Sequence, residues 1–163
     1  MYRVGFTGTQ DGMTLAQKLM FDAIFVNINA YDAAEFHHGD CVGSDEEAHE
    51  AVLLLSKNLT CTVKTILHPP IVNSKRAYCF ADETRDPLPY LNRNQAIVDN
   101  VDVLIATPAE SKEILRSGTW STIRRARKQS KPIFIINPDG TITEEFIEPE
   151  SVQPKTKKKG KKK

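Results

Sequence analysis

Residues 37–49 (HHGDCVGSDEEAH) combine two glycines with polar side chains in a pattern suited to binding an anion. Gly39 and Gly43 permit a tight turn and a close approach of a ligand to the backbone. Ser44 is a preferred N-cap residue, and Glu47 follows three positions on, which is the spacing of a capping box. The free N–H groups at the start of such a helix bind anions, most often phosphate. The candidate ligand-binding residues in this segment are Gly39, Asp40, Gly43, Ser44 and Asp45.

Two further turns repeat this chemistry. Residues 8–12 (GTQDG) follow a short apolar run, and residues 117–119 (SGT) precede a helical pattern. A plain strand-to-helix turn uses the same residue types, so one such turn is weak evidence of a site. Three of them in one chain favour a site for the phosphate and ribose of a nucleotide. The candidates in these two turns are Gly8, Thr9, Ser117, Gly118 and Thr119.

Strand-like and helical patterns alternate between these turns. The predicted strands are residues 3–7, 34–38, 61–67, 101–107 and 132–137, with a short edge strand at 141–147. The predicted helices start at residues 14, 44, 90 and 118, and the first, capped by Thr14, has Leu15, Leu19, Ala23 and Val26 on its inner face. This alternation predicts an α/β fold, a Rossmann-like doubly wound parallel sheet in three layers. Right-handed crossovers give the strand order 3-2-1-4-5 and bring the three turns to the carboxyl edge of the sheet.

One long connection interrupts the alternation. From residue 68 to residue 89 the sequence shows no periodicity, and a loop of that length in a compact domain is usually functional or mobile. Its basic residues Lys75, Arg76 and Arg85 are of the kind that reach over a bound anion. A position on the surface explains each of them equally well.

Length and charge limit the classes of function. We predict one Rossmann-like domain over residues 1–150 and a disordered lysine-rich tail over residues 151–163. Residues 155–163 hold seven lysines and no acid, so residues 1–154 have 15 basic against 21 acidic residues, a net charge of about −6. An acidic body argues against a nucleic-acid groove across the fold. The tail could make a weak nucleic-acid contact or could simply be solvated.

The cysteines indicate a reducing compartment. Cys41, Cys61 and Cys79 lack the spacing of a disulfide framework and predict free thiols. The sequence shows no apolar run of membrane-spanning length and no signal peptide. We therefore expect a cytoplasmic protein with no membrane contact.

Several blocks of the sequence resemble the SLOG superfamily of nucleotide-binding proteins. Residues 43–53 (GSDEEAHEAVL) resemble the Gly-x-Asp-x-x-Ala-His-x-x-Ala-Leu motif of the DprA/Smf DNA-processing proteins. Residues 92–108 and 116–140 resemble the Arg-Asn-Arg, hydrophobic-strand, Ser-Gly-(Ser/Thr) and Pro-Gly blocks of that family. The same blocks recur in the LOG phosphoribohydrolases, which release a base from nucleoside 5′-monophosphates, and in stand-alone nucleotide-binding or nucleotide-sensing proteins. The resemblance implies a Rossmann-like fold that binds nucleotide phosphate and ribose, and a homodimer.

The resemblance also implies roles for individual residues. Arg93 stands where LOG proteins place an arginine against the phosphate or the leaving base, and Gly118 and Thr119 stand in their phosphate loop. Thr122 occupies the place of the catalytic glutamate, and a threonine can neither take a proton from water as a carboxylate does nor stabilise an oxocarbenium-like centre. Whether the protein is an enzyme therefore stays open, and the catalytic residues are unknown. Glu46, Glu47 and Glu110 are the carboxylates that could replace the missing glutamate.

Three hypotheses follow for the function. The first is a SLOG-type carrier or sensor of a nucleotide or nucleotide-derived ligand, and the second is an N-glycosidic hydrolase acting on a nucleoside monophosphate. The third is a DprA-like protein that binds single-stranded nucleic acid. We predict no resident cofactor.

The remaining candidate residues each have two interpretations. Asp45 and His49 share a helix face and could hold a ribose hydroxyl or fix the helix end. Trp120 could stack on a base or anchor the core. His37 and His38 point to opposite faces of a strand and cannot bind one metal together, and the spacing around them fits no standard zinc pattern, so we predict no metal.

Overall fold

The computed structural model describes residues 2–29, 33–59 and 62–146. The predictions for the lysine-rich tail, for Cys61 and for the end of the edge strand at Ile147 lie outside these residues. The strands are β1 (Tyr2–Gly8), β2 (Ala33–His38), β3 (Lys64–Leu67), β4 (Glu83–Thr84), β5 (Val103–Thr107), β6 (Ile133–Ile136) and β7 (Ile142–Glu145). The helices are α1 (Leu15–Asn29), α2 (Ser44–Ser56), α3 (Tyr90–Asp99) and α4 (Gly118–Lys128).

The strands form one sheet in the order β4-β3-β2-β1-β5-β6-β7. Its five central strands have the predicted 3-2-1-4-5 arrangement and are parallel, which confirms the Rossmann-like fold. The long connection adds the two-residue strand β4 at one edge, and β7 pairs antiparallel to β6 at the other, where an edge strand was expected. Because β1 lies between β2 and β5, the winding direction reverses beside β1. Ligands of such sheets bind beyond the carboxyl ends of the strands at this point.

Two apolar clusters cover the two faces of the sheet and give the predicted three layers. On one face, α1 and α2 pack on the sheet around the aromatic side chains of Phe6, Phe21, Phe25 and Phe36, which are fully buried. On the other face, α3 and α4 pack on β5 and β6 around Trp120. The sheet is therefore held between helix pairs, and the loops at its carboxyl edge are set by well-packed elements.

The predicted inner face of α1 is wrong. Leu15, Leu19, Ala23 and Val26 are exposed, and the helix instead buries Phe21, Ile24, Phe25 and Ile28. Both sets have helical spacing, because α1 carries apolar residues around most of its circumference. Periodicity cannot choose between two such stripes, and packing against the aromatic cluster decides in favour of the larger side chains.

The capping box also lies at a different helix. Ser44 and Glu47 form none: Gly43 is the N-cap of α2 without a side-chain hydrogen bond, and the Glu47 carboxylate accepts from Met13 N at 2.6 Å. The reciprocal pair is at α1, where Gln17 N donates to Thr14 Oγ1 at 3.1 Å and Thr14 N donates to Gln17 Oε1 at 3.0 Å. Thr14 is thus the cap that the sequence predicted.

Residues 68–89 are ordered by contacts with the turn after β2. They contain a 3₁₀ turn (Asn73–Lys75) and β4. Backbone N–H groups join the two segments, because Val42 N donates to Lys75 O at 2.9 Å and Ala77 N donates to Asp40 O at 2.8 Å. The long connection is therefore fastened to the turn after β2 at the carboxyl edge of the sheet. Among the described helices, none is long and apolar enough to cross a membrane.

Candidate functional site

A cleft of about 450 Å³ opens at the carboxyl edge beside β1. Its walls come from the turn after β1, the turn after β2, the start of α3 and the segment between β5 and α4. This volume lies within the range of small-molecule sites. The predicted site residues that line it are Gly8, Thr9, Asp45, Arg93, Ser117, Gly118 and Thr119.

The start of α4 presents backbone donors to the cleft. Ser117 is the N-cap, and its Oγ accepts from Trp120 N at 3.3 Å. The N–H groups of the first helical residues, Gly118 and Thr119, have no acceptor within the helix. A Cβ at Gly118 would meet no atom within 4 Å, so the space in front of it is open. The start of α4 therefore offers backbone donors and open space to an anion.

Arg93 supplies the buried cation of the cleft. It is 7% exposed, its Nη1 lies 3.8 Å from Asp45 Oδ2, and its Nη2 donates to Cys41 Sγ at 3.5 Å. Its Nε is buried and has no hydrogen-bond partner among the described residues. The guanidinium also lies 5.5 Å from the centre of the Tyr90 ring, a cation–π distance. A buried arginine with so few strong acceptors is available for an anionic ligand.

Asp45 is the buried carboxylate beside Arg93. It is 4% exposed, and its Oδ2 accepts from Cys41 N at 3.2 Å. Burial raises the pKa of this carboxyl to about 6, although the charge of Arg93 and the backbone donors oppose the shift. A carboxyl with such a pKa is mostly ionised at neutral pH and takes up a proton under mildly acidic conditions.

The other four predicted site residues support the cleft from behind and do not line it. Gly39 is packed against Arg93, because a Cβ there would overlap Nη1, and Gly43 has a φ of 87° and abuts the backbone of Gln10. The Oγ of Ser44 donates to Thr9 O at 2.7 Å and so joins the first two turns.

Asp40 belongs to this supporting group as well. Its carboxylate is fully buried and accepts from Arg76 Nε at 2.6 Å and from Cys79 N at 2.9 Å. It therefore fastens the long connection to the turn after β2, and Arg76 is occupied by this ion pair.

The four histidines form two buried pairs that the sequence did not indicate. His37 Nδ1 lies 2.9 Å from His68 Nε2 on one face of the sheet, and His38 Nε2 lies 2.9 Å from His49 Nδ1 on the other. Burial lowers the pKa of His37, of His38 and of His68, the last to about 3. These rings are therefore neutral at physiological pH.

Cys79 lies beside the His38–His49 pair, and the three side chains form a candidate metal site by their distances alone. The ligand atoms of His38, His49 and Cys79 lie within 4.8 Å of one another. However, Asp40 N donates to His38 Nδ1 at 3.2 Å, so the proton of His38 is on Nε2, the atom that would have to bind the metal. That proton is donated to His49 Nδ1, and His49 Nε2 donates to Phe80 O at 3.0 Å. The ring nitrogens of both histidines are thus engaged in hydrogen bonds within the protein.

The structure also locates the remaining sequence candidates. Thr122 is fully buried and its hydroxyl donates to Gly118 O at 3.1 Å, and Trp120 is an anchor of the core. Of the three glutamates, only Glu110 lines the cleft, and Glu47 is engaged by Met13 N and Lys18.

Sequence reasoning missed several lining residues. The additional residues with polar or aromatic side chains are Thr7, Gln10, Asp11, Cys41, Tyr90 and Arg116. The spacing of Tyr90 and Arg93, one helical turn apart, and the position of Arg116 directly before the cap were the available signals.

Comparisons with known proteins identify the fold. No protein-family profile and no curated protein matches the sequence. Among solved structures, the structural genomics target TM1055 has a TM-score of 0.57 at 16% identity, with 82% of this chain and 72% of the other covered. A molybdenum cofactor binding protein from Rippkaea orientalis has a TM-score of 0.57 at 20% identity, and the molybdenum cofactor carrier protein from Chlamydomonas reinhardtii has 0.54 at 16%. Each match covers 83% of this chain and 76% of the other. The chain shares the Rossmann-like fold of these proteins.

Proposed function

We propose that the cleft binds a small nucleotide or nucleotide-derived ligand, and that the protein carries or senses this ligand. The observation that carries the proposal is Arg93, a buried arginine that lines the cleft and has an unpartnered Nε among the described residues. A guanidinium keeps its charge at any physiological pH and is costly to bury without a counter-charge. Its nearest carboxylate, Asp45, is 3.8 Å away. Arg93 therefore retains donors for an anion that enters the cleft.

The geometry supports a phosphate as that anion. Arg93 and the start of α4 line the same cleft, so charged and backbone donors can approach one ligand from two walls. Arg116 adds an exposed positive charge to the lining. The resemblance of these segments to SLOG proteins supports the same ligand class.

The structural neighbours suggest that the ligand class extends beyond nucleotides. Two of them are named for binding or carrying the molybdenum cofactor. That cofactor is a phosphorylated pterin, so it shares a heterocycle and a phosphate with a nucleotide. Their likeness to this chain supports a phosphorylated heterocycle as the ligand and adds the molybdenum cofactor to the compounds worth testing.

Hydrolysis of an N-glycosidic bond is the second candidate function. Thr122 is buried in α4 and has no carboxylate, so this activity would need another acid. Glu110 and Asp45 both line the cleft, and the pKa of about 6 suits Asp45 to general acid–base chemistry. The raised pKa of Asp45 is the observation that favours an enzyme.

A ligand screen tests the proposal. We expect AMP, ADP-ribose or the molybdenum cofactor to raise the melting temperature, and adenosine to raise it much less, because adenosine offers no phosphate to Arg93. Stabilisation by single-stranded DNA without stabilisation by any of the small phosphorylated compounds would contradict it. Chromatography of the AMP incubation then separates binding from hydrolysis, since only the hydrolase releases adenine.

A further inference from the structure

Asp45 places a carboxylate beside the arginine to which we assign the phosphate. Both side chains line the cleft, and both are more than nine-tenths buried. An anion in contact with Arg93 Nη1 would lie close to Asp45 Oδ2, because these two atoms are 3.8 Å apart. The inference below rests on the proposed phosphate contact of Arg93.

An ionised Asp45 and a bound anion that contact the same guanidinium in a buried site would repel each other strongly. Arg93 is the cation that faces Asp45 from α3, and the backbone N–H groups of Gly39 and Cys41 donate to Asp45 from the turn before α2. The titratable groups near Asp45 are the Asp40 carboxyl and the Cys41 thiol in that turn and the Cys79 thiol in the long connection. The other charged residues of the cleft walls are Asp11, Glu110 and Arg116. One guanidinium cannot fully compensate both a carboxylate and a dianion. A proton between the carboxylate and the anion would turn the repulsion into a charge-assisted hydrogen bond.

We infer that Asp45 and the bound anion share one proton, so that above neutral pH the subsite favours an anion that still carries a proton over one that has none. AMP, whose phosphate loses its last proton at about pH 6, and ADP-ribose must then take up a proton on binding, and both should bind more weakly at pH 8 than at pH 6. The proton comes from the ligand when Asp45 is ionised and from Asp45 when the pH is low. No covalent bond changes in this exchange. The raised pKa of Asp45, about 6, agrees with a carboxyl that takes up a proton readily.

Inorganic phosphate and sulfate test this preference, because they have the same shape and differ in whether they carry a proton. Phosphate keeps at least one proton at pH 8, whereas sulfate has none between pH 5 and pH 8. We therefore expect phosphate to bind at least tenfold more tightly than sulfate at pH 8. At pH 5.5, where Asp45 itself supplies the proton, sulfate should bind nearly as well as phosphate.

The test is an NMR titration of the full chain with each anion at both pH values. Asp45→Asn should bind sulfate and phosphate equally at pH 8, because its amide supplies N–H donors and no charge. Asp86→Asn removes an exposed carboxylate that does not line the cleft and should keep the preference of the unmodified protein. Equal affinities in the unmodified protein at pH 8, or an unchanged preference in Asp45→Asn, would overturn the inference.

Failure of the proposed function has a different signature. If neither anion binds at either pH, or if Arg93→Ala binds phosphate as well as the unmodified protein does, Arg93 holds no phosphate. Should Asp45→Asn not fold, calorimetry of the unmodified protein in two buffers of different ionisation enthalpy decides the matter. Sulfate binding at pH 7 should take up close to one proton, and binding without proton uptake would overturn the inference.

Discussion

Replacing Gly39 by alanine perturbs the candidate site without removing any charged group. The backbone of Gly39 is not in the left-handed region, so alanine is not excluded by its φ. The added Cβ would overlap Arg93 Nη1 and lie 2.8 Å from Asp45 Oδ2. Both contacts are with the ends of side chains, so the guanidinium can move away while the turn keeps its course.

The expected magnitudes differ for folding and for binding. Overpacking of this kind costs about 1–3 kcal/mol of unfolding free energy. A displaced guanidinium loses its charged hydrogen bond to phosphate, which is worth about 1.5–3 kcal/mol, or a factor of roughly 10 to 150 in affinity. Gly39→Ala should therefore weaken AMP binding by that factor and change adenosine binding little.

Calorimetric titration of AMP and adenosine, combined with urea unfolding, measures both effects. Gly5→Ala is the matched control, because its Cβ would crowd Val101 in the core and leave the cleft intact. It should lose stability and keep AMP affinity. Unchanged AMP binding by folded Gly39→Ala would refute the role of Arg93, and an equal loss in Gly5→Ala would trace the effect to general destabilisation.

Three further predictions concern the helix start, the tail and pH. Gly118→Val should weaken AMP binding more than tenfold in a folded protein, since its side chain would fill the open space at the start of α4; unaltered affinity would move the phosphate site elsewhere. Deleting residues 155–163 should leave folding and AMP binding intact and abolish any salt-sensitive binding of nucleic acid, whereas polynucleotide binding that survives would favour the DprA-like hypothesis. Between pH 7 and pH 5, His68 should lower stability by about 2 kcal/mol, because its folded pKa of about 3 lies below the unfolded value and the unfolded chain alone gains the proton. Asp45 should raise stability by about 1 kcal/mol over the same pH range, because its folded pKa of about 6 lies above the unfolded value and the folded chain gains the proton as pH falls. Urea unfolding at both pH values should show a smaller loss for His68→Gln, and an equal loss would exclude His68 as the source.

The fold could be predicted because its signals are local and repeated. Apolar runs such as residues 101–107 alternate with helical patterns, and right-handed crossovers then leave one strand order for the central five strands. The two-residue strand β4 escaped prediction because nothing local in residues 83–84 distinguishes a strand from a loop. Its pairing depends on the edge of β3, which only the folded sheet provides.

Orientation was the part that the sequence could not determine. Asp40 and Asp45 stand only five residues apart, in the turn before α2 and at the start of α2, yet Asp40 pairs with Arg76 of the long connection while Asp45 lines the cleft. Likewise, the sequence correctly places His37 and His38 on opposite faces of the sheet. Their partners, His68 for His37 and His49 for His38, come from other parts of the chain. Such pairings depend on tertiary structure, which residue spacing does not encode.

The central claim is that Arg93 binds the phosphate of a nucleotide-like ligand. The most direct test compares the affinities of Arg93→Ala for AMP and adenosine with those of the unmodified protein, with Arg85→Ala as a control that removes an arginine outside the cleft lining. We predict that Arg93→Ala loses about 1.5–3 kcal/mol of AMP affinity and almost none for adenosine, and that Arg85→Ala loses neither. Equal losses for AMP and adenosine, or full AMP affinity in folded Arg93→Ala, would contradict the claim.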